Sequence, residues 1–285
     1  MRIENHKLSG VRFQEAQWIW GEITPEIAVL HDTASRMTPG NAADYLARND
    51  AKVSVHFVVE SDGAIIQQVP TNRRAGHAGK STFNGRNDCN AFSIGIEIVN
   101  PGRMSRIDEK RARTWYGEEL AIGLFGIQEV ETPQHGRGLW MPYSEAQIGA
   151  VLKLLTTLFR DIPTLNDITT HWYVSPGRKV DTNPLFPLEH VRARVLGRDD
   201  PADLAAEAGS EPANSQDLVM TDTPGDTLSL RRWPSFNPNV LTMIPDATVL
   251  PVLRRGTFNG RVWLCVQYGG HEGWIVETFA DPFTH

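Results

Sequence analysis

A change of composition between residues 197 and 216 constrains this 285-residue chain more than any other feature. Gly197-Arg198-Asp199-Asp200-Pro201 leads into Ala-, Glu- and Ser-rich sequence with Pro212, Asn214 and only isolated leucines. So few apolar side chains cannot tie the stretch into a core, and it reads as a linker with one short helix over 202–208. The chain must then build two cores rather than one, with domains at 1–196 and 217–285 around a linker at 197–216.

The first part mixes helix and strand signals. Ile27-Ala28-Val29-Leu30 is a short apolar run, as expected of a buried strand ending at His31. Segments 54–59 and 64–69 read as a hairpin around Ser61-Asp62-Gly63, and 93–99 as a further strand closed by Asn100-Pro101-Gly102. The clearest helix spans 144–160. Ser144 and Gln147 form a capping-box pattern there, and Ile148, Val151, Leu152, Leu155, Leu158 and Phe159 recur at helical spacing. Shorter helices are expected over 39–48 and 187–195. The predicted class is α/β, a central mixed β-sheet flanked by helices. Segment 103–142 is polar and Gly-rich, and reads as an irregular insertion, either a lid over a cleft or a surface excursion. Beyond 217 only β signals remain, over 228–231, 249–253, 261–268 and 273–276. Asn259-Gly260 and Gly269-Gly270 mark hairpin turns, so a small all-β barrel is expected.

Composition excludes several classes. At 40% hydrophobic and 22% charged the chain is ordinary globular material, and its formal net charge of −6 argues against nucleic acid as a partner. No apolar run approaches the ~20 residues of a membrane span. The first twenty residues lack the apolar centre of a signal peptide, so cytoplasmic synthesis is expected. Cys89 and Cys265 are too few for a disulfide framework or a cysteine metal site.

Of nine histidines, His6 and His285 sit at the termini, His135 in the Gly-rich insertion, His190 in a predicted surface helix and His271 at a hairpin tip. His31, His56, His77 and His171 remain. His31 and His171 each end a predicted strand, and Lys179 and Asp181 follow His171 by eight and ten residues. Two imidazoles and one carboxylate can hold zinc with a fourth position open to water. A histidine at a strand end is more often a hydrogen-bonded loop or core residue, and spacing alone leaves both readings open.

Five ordered stretches resemble the zinc-dependent N-acetylmuramoyl-L-alanine amidase family, whose fold is shared with peptidoglycan recognition proteins. They are Val29-Leu30-His31-Asp32-Thr33-Ala34-Ser35, Val53-Ser54-Val55-His56-Phe57-Val58-Val59, Ala75-Gly76-His77-Ala78-Gly79, the run from Asn90 to Asn100, and His171 through Ser175-Pro176-Gly177-Arg178-Lys179-Val180-Asp181 to Pro184. The resemblance covers about 27–195. It implies one Zn2+ per chain on His31, His171 and Asp181, with Glu97 as the catalytic carboxylate and Lys179 as the catalytic lysine. It sets His77 beside the substrate groove, with Arg86 and Lys80 as candidate partners for a stem-peptide carboxylate, and His56 behind the ligands or in the core. The chain departs from the pattern at Gly76, where many members carry an aromatic residue, and at Val55, where some carry tyrosine. It departs again at Asp88, where cytosolic recycling members carry a basic residue.

The tail resembles a bacterial SH3-type domain through Leu228-Ser229-Leu230-Arg231-Arg232-Trp233-Pro234-Ser235, Trp263-Leu264-Cys265-Val266 and Gly273-Trp274-Ile275. Trp263 and Trp274 are expected in its core and Trp233 as an exposed stacking aromatic. The implied activity is hydrolysis of the amide between the lactyl group of N-acetylmuramic acid and L-alanine, with peptidoglycan or muropeptides as partners. A wall-binding-like module beside an enzyme without a signal points to a phage-type lysin that acts on the wall after release. The alternatives are a cytosolic amidase recycling anhydro-muropeptides, a non-catalytic peptidoglycan receptor, and a secreted antibacterial effector.

Overall fold

Two strands with the same alternation lie side by side at the centre of the N-terminal part. The computed structural model describes residues 1–197, 201–213, 217–236 and 239–283, and the chain divides into two units, Met1–Gly197 and Arg198–His285. The first unit holds a six-stranded mixed sheet of β1 (Arg12–Phe13), β2 (Ile27–Asp32), β3 (Phe57–Val59), β4 (Ile65–Gln67), β5 (Ser93–Ile98) and β6 (Asp167–Thr170). Their order across the sheet is β6-β2-β5-β3-β4-β1. β2 runs parallel to both β5 and β6, and the hairpin of β3 and β4 supplies the antiparallel pair.

Successive side chains on a strand point to opposite faces. Ala28 and Leu30 of β2 therefore share a face with Ile94, Ile96 and Ile98 of β5, and all five join Phe57, Val59 and Ile168 in the main core. The opposite face carries Ile27, Val29 and His31 on β2 and Ser93, Gly95 and Glu97 on β5. The main core is closed by helix α2 (Glu145–Asp161), which follows α1 (Asn41–Ala47) in the chain. α2 buries Ile148, Val151, Leu154, Leu155 and Leu158 at helical spacing. Its start carries the expected capping box. Ser144 Oγ accepts from the Gln147 N–H at 3.0 Å, and the Gln147 side chain accepts from the Ser144 N–H at 3.0 Å. Two further helices, α3 (His171–Val174) and α4 (Leu188–Leu196), follow β6.

The insertion at 103–142 is ordered, contrary to the irregular segment expected. Strands Ser105–Arg106, Arg111–Arg113 and Glu119–Ala121 form one antiparallel sheet, and Gln128–Thr132 pairs with Gly136–Trp140 in a second. Gly117, Gly123 and Gly126 occupy turns or bends, Gly136 and Gly138 lie in a strand, and Met104, Ala112, Leu120, Ile127, Leu139 and Met141 bury a small core of their own. Sparse apolar residues hid this, because each two- or three-residue strand contributes at most one of them.

The linker expected at 197–216 is also structured where it is described. Pro201–Ala208 is a helix, and Ser210–Pro212 is a strand paired antiparallel with Val249–Phe258 of the second unit. Residues 198–200 and 214–216 lie outside the described residues. The second unit otherwise consists of antiparallel strands around Leu228, Leu230, Ile244, Leu250, Val252, Leu264, Val266 and Ile275. The predicted turns close two-residue hairpins, Phe258 pairing with Arg261 and Tyr268 with His271. Asn259, Gly260, Gly269 and Gly270 all have positive φ there, as a primed turn requires. Trp263 and Trp274 are core residues, and Trp233, expected to be exposed, is buried as well. Both cysteines are buried and unpaired. No helix among the described residues is long and apolar enough to cross a membrane.

The closure by α2 sets a stability test. Leu155 is fully buried in the main core. Leu155→Ala should cost about 2–5 kcal/mol through lost transfer energy and the cavity left behind. A lower urea midpoint with an unchanged m-value would show it.

Candidate metal centre

The parallel register determines what meets at the carboxyl ends of the strands. His31 on β2 stands opposite Glu97 on β5, and Leu30 stands opposite Thr170, the last residue of β6. His171 is the next residue along, so two imidazoles and one carboxyl group end three neighbouring strands. Asp181 arrives from the loop after α3, where the Trp172 N–H donates to its carbonyl at 2.7 Å.

Three acceptor atoms converge there. His31 Nδ1 lies 2.9 Å from His171 Nδ1, Asp181 Oδ2 lies 2.9 Å from His171 Nδ1, and 3.3 Å separates it from His31 Nδ1. The tautomers are assigned with the protons on the other ring nitrogens. His171 Nε2–H donates to the Ala78 carbonyl at 3.2 Å. His31 Nε2–H donates to His77 Nδ1 at 2.9 Å, His77 Nε2–H to Ser93 Oγ at 3.2 Å, and the Ser93 hydroxyl to the Cys89 carbonyl at 2.6 Å. In this assignment every proton in the chain has an acceptor, and both Nδ1 lone pairs turn toward the Asp181 carboxylate. Lone pairs and a carboxylate facing one another so closely repel unless a cation joins them. Donors around a tetrahedral ion with bonds of ~2.0–2.1 Å are about 3.3 Å apart, so the set fits a metal of that kind. Burial, then the charge of His171, lowers the His31 pKa to about 4, which keeps a proton from filling the place at neutral pH. Burial alone would raise the pKa of Asp181, but hydrogen bonds with His171 and His31 hold it well below the usual carboxylate range.

Glu97 stands beside this cluster. Its Oε2 is buried without a hydrogen-bond partner among the described residues. Burial, then the charges of Asp181 and Asp32, push its pKa well above the usual glutamate value, opposed by Lys179. A carboxyl group held that way keeps its proton to higher pH than an ordinary glutamate, as an acid–base role calls for. Glu97, Lys179, His171 and Asp181 all line one cleft of about 730 Å³.

The remaining sequence candidates divide. His77 lines the cleft, but its main contact is with His31, and its ring fits because residue 95 is glycine. A Cβ there would lie 2.5 Å from His77 Cγ. Glycine inside a strand marks such close approaches, a signal already present in the sequence. His56 precedes β3 rather than lying within a strand. It is fully buried, donates from Nε2 to the Arg73 carbonyl at 2.8 Å and accepts at Nδ1 from the Gly95 N–H at 3.0 Å. Lys80 and Arg86 do not line the cleft. The Arg86 guanidinium pairs with Glu26 at 2.5 Å and lies over the Phe92 ring, and the Lys80 carbonyl accepts from Ser175 and Arg178. Arg36, Arg103, Arg178 and Lys179 are the cations on the cleft wall.

Sequence reasoning passed over two residues that hold the loop carrying Asp181. His135, set aside as an insertion residue, is buried, and its Nε2 donates to the Thr182 carbonyl beside Asp181 at 2.9 Å. Asp32, next to His31, accepts from the Tyr143 hydroxyl and from the Asn183 N–H at 2.8 Å. Burial pushes its carboxyl group up to about 8 despite those bonds. His190, expected at the surface, is buried too.

Residues 22–184 match the family model described as N-acetylmuramoyl-L-alanine amidase. The chain is 30% identical over 145 residues to the 1,6-anhydro-N-acetylmuramyl-L-alanine amidase AmpD of Salmonella typhimurium. It is 30% identical over 161 residues to the N-acetylmuramoyl-L-alanine amidase CwlA of Bacillus subtilis. These matches cover 50% and 55% of this chain, and the chain spans only 58% of the length of each relative. A crystal structure of a selenomethionine AmpD derivative is similar with a TM-score of 0.49 and 24% identity, over 68% of this chain and 99% of that one.

The hydrogen-bond chain behind His31 can be tested without any reaction. His77→Ala leaves the His31 Nε2–H without its acceptor and frees the ring to turn. Divalent-ion affinity should fall about 10–100-fold, as for other partners behind metal ligands. Competition with a chromophoric chelator measures it, and an unchanged affinity would mean that His77 does not orient the ligand.

Proposed function

Because the chain belongs to the N-acetylmuramoyl-L-alanine amidase family, we propose that it hydrolyses the amide joining the lactyl group of N-acetylmuramic acid to L-alanine. The observation that carries this reading is the convergence of His31, His171 and Asp181, the last two lining one cleft with Glu97 and Lys179. We assign the ligand set to Zn2+, since two imidazoles and a carboxylate with an open fourth position are a catalytic zinc environment. When bound, zinc polarises the scissile carbonyl and lowers the pKa of water toward ~7. Glu97 takes the proton of the attacking water and returns it to the departing alanine nitrogen. Lys179 sets an ammonium charge near the oxygen on which negative charge develops. His77, through His31, keeps a ligand lone pair aimed at the ion, and His135 steadies the loop that carries Asp181.

The substrate is taken to be wall peptidoglycan rather than soluble anhydro-muropeptide. An all-β second unit, read as an SH3-like wall-binding module, supports that choice, as does the Asp88 departure from the recycling pattern. The catalytic domain is assigned to 1–196. The strand at Ser210–Pro212 pairs within the second unit, so that module begins near 201 rather than 217.

Mass spectrometry of digested wall tests the activity. Free lactyl carboxylates and peptides beginning with L-alanine are expected, and their absence sinks the reading. Glu97→Gln should retain stoichiometric zinc and lose about 10²–10⁴-fold in kcat. Glu97 works as a carboxylate, so kcat/KM should fall as pH drops through its pKa. Burial raises that pKa, so the acid limb should stand above the ordinary glutamate range and vanish in the variant.

Truncation tests the domain assignment. A chain ending at Gly197 should fold, keep its zinc and cleave soluble muropeptide, while sedimentation with insoluble wall weakens. Undiminished sedimentation would remove the wall-binding role from the second unit.

A further inference from the structure

The insertion ends in an exposed aromatic side chain that none of the chemistry above uses. Trp115 is 73% exposed, yet it lines the same cleft as Glu97, Lys179 and Asp181. It sits in the turn joining strands Arg111–Arg113 and Glu119–Ala121, closed by the Thr114 N–H to the Glu118 carbonyl at 2.9 Å. The turn is docked on the loop that follows His31. Trp115 Nε1–H donates to the Ala34 carbonyl at 2.6 Å, and the Tyr116 hydroxyl to the Ser35 carbonyl at 3.0 Å. Tyr116 meets the indole edge-on, 5.6 Å between centroids, and Arg36 lies over the tyrosine ring while pairing with Glu118.

These contacts hold an indole in water at the cleft wall with its N–H already committed. What it still offers is a flat apolar face with a negative quadrupole. Tyr45 of α1, 56% exposed, is a second aromatic on that cleft. A neighbouring groove shares His77, His171, Arg178 and Lys179 with the cleft and is lined further by Trp20, Glu22, Lys52 and Arg74. Two grooves thus meet at the metal centre, both carry cations, and Trp115 and Tyr45 line only the first. The scissile amide likewise has two unlike sides. A pyranose ring, with an apolar C–H face, lies on the lactyl side, and a peptide bearing carboxylates lies on the other.

We propose that Trp115 is a specificity-determining residue that stacks on a pyranose ring of the glycan, so that the cleft bearing Trp115 takes the saccharide and the neighbouring groove the stem peptide. The assignment rests on the amidase reading for its substrate, but its binding test does not need turnover. The probes are a peptide-free N-acetylglucosaminyl-N-acetylmuramic acid disaccharide and a sugar-free stem peptide, titrated calorimetrically into the full-length zinc-loaded chain. Trp115→Ala should weaken disaccharide binding about tenfold, the scale of one aromatic contact, and leave stem-peptide binding unchanged. Trp115→Phe, which keeps a ring face but not the bond to Ala34, should recover most of the loss. With muropeptide as substrate, Trp115→Ala should raise KM more than it lowers kcat. Unchanged disaccharide binding in Trp115→Ala overturns the proposal. So does equal weakening of both probes, which would make Trp115 a brace for the loop after His31. If the wild-type chain binds the disaccharide through Trp115 but cleaves no muropeptide, the amidase reading fails and the saccharide site stands.

Discussion

Two parallel strands, β2 and β5, run in register for six residues and alternate in step, and the rest of the first unit follows from that pairing. One set of side chains, Ala28, Leu30, Ile94, Ile96 and Ile98, turns to α2 and fills the main core. The other set turns away from it and includes His31, Ser93, Gly95 and Glu97. A slip of one residue in either strand would send His31 or Glu97 into the hydrocarbon core and an isoleucine into the cleft. The helix face that buries Val151, Leu155 and Leu158 therefore also holds the register that sets His31 beside Glu97.

Behind the ligands, the arrangement obeys an accounting of protons. A neutral imidazole has one donor and one acceptor nitrogen. His77 passes the demand for an acceptor from His31 to Ser93, and Ser93 passes it to a main-chain carbonyl. Because that path is buried and complete, the His31 lone pair has one direction left, toward His171 and Asp181. Gly95 makes the path possible by leaving room for the His77 ring.

The same burial produces opposite effects on two carboxyl groups. Asp181 has imidazoles within 3.3 Å and stays ionised, whereas Glu97 has an unpartnered buried oxygen and two carboxylate neighbours, so its proton is held more tightly. That separation leaves one carboxylate suited to hold a cation and one carboxyl group suited to trade a proton. The insertion adds to both sides of the cleft, with His135 on the Asp181 loop and Trp115 on the loop after His31.

Much of this was legible in the chain itself. The β2 and β5 runs, the capping box at Ser144 and the glycine-bearing turns of the second unit are local signals, set by side-chain periodicity and by φ preferences that need no distant partner. The five ordered stretches pointed to His31, His171, Asp181, Glu97 and Lys179 through resemblance. Tertiary structure decided what depends on contacts between distant residues. Lys80 and Arg86 look available in sequence, but Arg86 is drawn to Glu26 and Phe92, 60 and six residues away. His135 looks like loop decoration until Thr182, 47 residues on, comes within hydrogen-bond reach. The 103–142 segment reads as irregular because its short strands gain their core only from one another. Local sequence determines which faces a strand or helix presents, and only the closed fold determines which polar atoms are left facing each other when those faces are buried.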